Sequence, residues 1–100
     1  MGTKSYDEFL QEELKDSELA AEYLTAAIED GALDEFLIAL RNVAEAHGGL
    51  GVVSEITQLN RQNLYKMLTE EGNPTLGSLI TILRALGINL SFTAKDKLAA

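Results

Sequence analysis

From residue 60 to residue 66 the chain reads Asn-Arg-Gln-Asn-Leu-Tyr-Lys, and every side chain except the leucine can donate a hydrogen bond, accept one or carry charge. Arginine grips guanine through two acceptors, glutamine or asparagine grips adenine through one acceptor and one donor, and lysine neutralises phosphate. Set on one short helix in a major groove, Asn60, Arg61, Gln62, Asn63, Tyr65 and Lys66 would form a DNA-reading surface. The same pattern also fits a plain surface helix whose polar residues are solvated. Tyr65 has two readings as well, one in the groove and one as a core or boundary residue.

Little else in the chain is built for chemistry. The absence of cysteine excludes disulfides, thiolate metal sites and a cysteine nucleophile. The single histidine, His47, stands before Gly48 at an expected helix end, where contact with the helix dipole is favoured over metal ligation. Glu12 with Glu13, and Asp34 with Glu35, are sequence neighbours and so diverge around a helix instead of converging as a catalytic pair. No glycine-rich phosphate loop is present. The expectation is a non-enzymatic protein with no catalytic residue, no metal site and no cofactor.

The DNA-reading residues need a frame, and apolar spacing supplies one. Apolar residues recurring every three or four positions predict helices over 17–30, 33–47, 52–57, 61–69 and 76–86. Asp16, Asn60 and Thr75 are placed to cap three of them, and Gly31, Gly48-Gly49 and Gly87 to stop others. Within 52–69, a short helix with Val53 and Ile56 inward, a turn at Gln58-Leu59 and a helix with Leu64, Met67 and Leu68 inward have helix-turn-helix spacing. The first predicted helix has its apolar stripe at Leu19, Ala20, Tyr23, Leu24, Ala27 and Ile28, the second at Leu33, Phe36, Leu37, Leu40, Val43 and Ala44, and the last turns Leu76, Leu79, Ile80, Leu83 and Leu86 to the core.

Two segments flank this frame. Residues 1–15 form an acidic N-terminal stretch read as a loosely held arm or short helix, with Tyr6, Phe9, Leu10 and Leu14 at spacings of three and four. Residues 16–100 are read as one helical domain. After Gly87 the chain alternates apolar and polar from Ile88 to Thr93, which fits a short strand in need of a partner. Ile88, Leu90 and Phe92 are therefore the expected dimer seam.

The net charge of −8 over 100 residues is unevenly placed. Residues 1–49 carry 12 acidic and 3 basic side chains, and residues 50–100 carry 4 acidic and 5 basic. An acidic N-terminal half suits a basic protein partner or solvated helix faces, and it leaves the other half free to meet DNA. No apolar run approaches the roughly 20 residues of a membrane span, and no signal peptide is evident, so a cytoplasmic protein without a membrane partner is expected.

Five blocks stand in order along the chain: Ala21–Gly31 (AEYLTAAIEDG), Phe36–Arg41 (FLIALR), Asn63–Leu68 (NLYKML), Gly72–Leu76 (GNPTL) and Leu83–Gly87 (LRALG). Through them the chain resembles, from Tyr6 to Leu90, the addiction-module antidote proteins, HigA-like antitoxins of the lambda-repressor-like or XRE helix-turn-helix superfamily. The resemblance implies an all-α, five-helix lambda-repressor-like domain. It also implies a toxin partner of the small basic RelE/ParE-like (HigB-like) class and repression of the shared operon at a two-fold symmetric operator, which calls for a homodimer. The recognition role falls on Asn60, Arg61, Gln62, Asn63, Tyr65 and Lys66, while the acidic arm's Tyr6, Phe9, Leu10 and Leu14 are the expected toxin anchors. The sequence departs from the family at the turn, where Gln58 replaces the usual glycine and must either go left-handed, at roughly 1–2 kcal/mol, or change the turn. Gly51 and Val52 replace polar residues that reach phosphate in the family. A stand-alone repressor and an interaction module without DNA binding are the alternative functions.

Overall fold

In the computed structural model, which describes residues 5–95, the chain forms six α-helices. They are α1 (Tyr6–Leu14), α2 (Ser17–Glu29), α3 (Leu33–Ala46), α4 (Leu50–Thr57), α5 (Arg61–Met67) and α6 (Leu76–Ala85). The outer ends of the expected 1–15 arm and 16–100 domain lie outside the described residues. The expected all-α class is found, with one helix more than the five expected.

The additional helix is the supposed arm. Ser5 and Glu8 close a capping box: the Ser5 hydroxyl accepts from the Glu8 amide, and the Glu8 carboxylate accepts from the Ser5 amide. The helix is also held to the body. Leu14 is 1% exposed, and Leu10 packs against the same core. The Gln11 side-chain amide donates to the Asn42 carbonyl at 3.2 Å, and His47 Nε2–H donates to the Leu14 carbonyl at 2.9 Å. Leu14, one of the four expected toxin anchors, is therefore a core residue, and Leu10 faces inward with it.

Helices α1, α2 and α3 pack on one another, and α4 joins this group to α5 and α6. Leu37, Leu40 and Val43 of α3 meet a continuous core that includes Leu50, Val53, Leu64, Leu68 and Ile82. The expected caps form. Asp16 accepts from the Glu18 and Leu19 amides, Asn60 from Asn63 and Thr75 from Ser78, each such cap contributing about 1 kcal/mol.

Three expectations about burial change. Helix α4 begins at Leu50, two residues ahead of its expected start, so its inward stripe is Leu50, Val53 and Thr57, and Ile56 falls outside that stripe at 60% exposed. Leu33 and Leu76, the first residues of α3 and α6, are exposed, as are Leu19 and Ile28 of the α2 stripe. The expected strand from Ile88 is absent among the described residues. Gly87, at φ 79°, turns the chain at the end of α6, its amide donating to the Arg84 carbonyl and that of Ile88 to the Leu83 carbonyl. This paired closure buries the following apolar residue against the helix it ends. Ile88 is accordingly only 9% exposed and belongs to its own chain's core.

Candidate nucleic-acid interface

Helix α4, the three residues Gln58, Leu59 and Asn60, and helix α5 form two short helices about a tight turn. Gln58 takes the first of the two routes open to it, a left-handed conformation with φ 65°. Local hydrogen bonds hold it there. The Gln58 amide donates to the Ser54 carbonyl at 2.8 Å, and its side chain donates to the Glu55 carbonyl at 2.8 Å. The Ser54 hydroxyl donates to the Leu59 carbonyl at 2.6 Å, while the Thr57 hydroxyl accepts from the Leu59 amide and donates to the Val53 carbonyl. Gln58 and Leu59 are thus bonded back to the last turn of α4, and a non-glycine residue can occupy the left-handed position.

Asn60 opens α5 with its side-chain oxygen committed to the Asn63 amide at 3.1 Å, which makes it a cap and leaves only its amide NH2 free to reach outward. Leu64 and Leu68 anchor the unit in the core. Arg61, Gln62, Asn63 and Lys66 are exposed, and Tyr65 sits at the boundary with 37% of its surface exposed. All six expected DNA-binding residues therefore share one short element and its cap. Beyond α5 the chain folds back sharply at Gly72, where an added Cβ would collide with the Met67 carbonyl oxygen.

The structure adds Arg41 to this face. Its guanidinium carbon lies 5.1 Å from the centroid of the Tyr65 ring, and that of Arg61 lies 5.8 Å from the same centroid. Both distances fall within cation–π range. Arg61 reaches Gly51, its guanidinium carbon 3.5 Å from the position a Cβ on Gly51 would occupy, an ordinary van der Waals distance. The position at which the sequence departs from the family is thus in contact with an arginine from α5. Arg41 is the sole lysine or arginine between Asp16 and Asn60, and that isolation is the only signal of it in the sequence.

The other expected contact residues separate. Tyr6 and Phe9 are exposed on the outer side of α1, while Leu10 and Leu14 hold that helix down. Leu90 is half-exposed and Phe92 is 87% exposed, whereas Ile88 is buried. A groove between α2 and α3 has Tyr23 and Ile38 in its lining and the carboxylates of Asp30, Asp34, Glu35 and Glu70 around it. Among the described residues no group of His, Cys, Asp or Glu side chains is arranged to hold a metal ion, and no helix is long and apolar enough to cross a membrane.

The fold and this face define a small helical protein with two short helices joined by a tight turn and an exposed polar second helix. A family model described as "Probable addiction module antidote protein" matches residues 3–94, and the chain belongs to that family. An uncharacterised protein of Haemophilus influenzae is 28% identical over 96 residues, covering 87% of this chain and 96% of the relative. No solved structure matches.

Proposed function

We propose that this chain is the antidote of a toxin–antitoxin module, a cytoplasmic, non-enzymatic protein that binds and silences a small basic RelE/ParE-like toxin. In the same reading, α4 and α5 act as a lambda-repressor-like helix-turn-helix, and a homodimer represses the shared operon at a two-fold symmetric operator. The observation that carries the proposal is the family match across residues 3–94. The exposed polar row Arg61, Gln62, Asn63 and Lys66 supports the DNA half of it.

The toxin half draws on the acidic surface. Tyr6 and Phe9 project from α1, whose sequence YDEFLQEEL contains no basic residue, and apolar anchors ringed by like charge suit a basic partner. The carboxylates of Asp30, Asp34, Glu35 and Glu70 around the α2–α3 groove extend the same sign of charge. A basic toxin would be steered to such a surface, with charge setting the encounter rate and buried anchors the affinity. For the dimer, Leu90 and Phe92 remain as exposed apolar contacts beside a groove lined by Leu24, Ile28 and Leu83.

Co-expression tests the proposal. A small open reading frame is expected beside this gene; its product should arrest growth when expressed alone, and expression of this chain with it should restore growth. Arrest that persists at full expression of this chain removes the antidote role.

A further inference from the structure

We infer that Arg41 and Arg61, gathered on the ring of Tyr65, form a clamp for the phosphodiester backbone, and that Arg61 holds DNA in place instead of reading a base. The inference rests on the DNA-binding reading above and changes the role of one of its residues. It also adds Arg41 of α3, a helix outside the two-helix unit.

Three observations lead to it. The guanidinium carbons stand 5.1 and 5.8 Å from one ring centroid, so two positive charges share a single aromatic platform. The chain has 16 carboxylates, yet among the described residues neither arginine has one within ion-pair distance; the recorded ion pair is Lys15 with Glu12, on α1 and its cap. A chain this acidic that gathers two cations and gives them no carboxylate leaves them available to an external anion.

The third observation is direction. Arg61 lies against the first turn of α4, its guanidinium carbon 3.5 Å from where a Gly51 Cβ would be, so its charge sits at the start of α4. In helix-turn-helix docking the first helix crosses the sugar-phosphate backbone while the second enters the groove. A guanidinium at the start of α4 therefore meets phosphate, and its planar fork suits phosphate oxygens. Arg41 reaches the same ring from α3. The phosphate contact that Gly51 and Val52 cannot make with side chains is supplied by arginines from two other helices. Base reading then rests with Gln62 and Asn63, whose amides match adenine.

The test is a set of salt titrations of the full chain on two duplexes, the DNA upstream of its own gene and a random sequence of equal length. Arg41→Ala and Arg61→Ala should each weaken binding to both duplexes by the same factor, leave their ratio unchanged and lower the salt slope by about one. Gln62→Ala should weaken only the upstream duplex. Arg41→Lys, which keeps the charge, should restore most of the slope, and matching thermal melts show that the variants fold. The clamp is overturned if Arg41→Ala leaves both affinities and the slope unchanged, or if Arg61→Ala lowers the ratio between the duplexes without changing the slope. Wild-type chain that binds neither duplex at low salt overturns the DNA-binding reading itself, and the clamp with it.

Discussion

Gln58 shows how a single backbone conformation shapes the face. A left-handed residue other than glycine costs about 1–2 kcal/mol, and the turn retains it through its own amide and side-chain bonds to Ser54 and Glu55. Gln58→Gly should hold or raise the thermal midpoint, whereas Gln58→Val, with a branched Cβ in that conformation, should lose about 1–2 kcal/mol in denaturant titration. Equal stability of the two variants would show that the turn is not strained. The two routes for Gln58 were legible in the sequence, as was the polar row from Arg61 to Lys66. Arg41 was not, because its relation to the face runs through the Tyr65 ring, a contact between α3 and α5 that no local spacing encodes. Gly51 was legible only as a missing donor; its contact with Arg61 depends on how α4 meets α5.

At the scale of elements, α1 separates core from contact surface. Leu14 is buried and His47 bonds to its carbonyl, so Leu14→Ala should cost about 2–5 kcal/mol by chemical denaturation. Tyr6→Ala and Phe9→Ala, on the exposed side, should change stability by no more than about 0.5 kcal/mol yet weaken toxin binding. Toxin affinity unmoved by both substitutions would take α1 out of the interface. Helices α2 to α6 were legible because their apolar stripes and caps agree, as at Asp16, Asn60 and Thr75. Helix α1 carried its own sign, the Ser5 to Glu8 capping box, but the acidic background obscured it. The tail misled for a physical reason: Ile88 fits an alternating strand, yet as the residue after the Gly87 turn it is drawn onto Leu83 by the closure of α6.

Across the whole molecule, charge and exposed apolar surface are divided. The acidic helices α1 to α3 lead the chain, while the more basic second half carries the candidate DNA face. A two-fold operator calls for a dimer with recognition helices about one DNA turn apart. Phe92 is 87% exposed, and in the proposed dimer it is the apolar residue expected to meet a second copy. Sedimentation at micromolar concentration should give the mass of a dimer, and Phe92→Asp should shift it to that of a monomer with the fold intact; a wild-type monomer would contradict the two-fold arrangement.

If this chain holds a toxin, a small basic protein should be encoded beside it, and calorimetric titration of the chain with that protein is the decisive experiment. Binding should be tight and saturable, and should weaken as salt rises and as Tyr6 and Phe9 are replaced together by alanine. Absence of heat and of a complex at low salt, with both proteins folded, would contradict it.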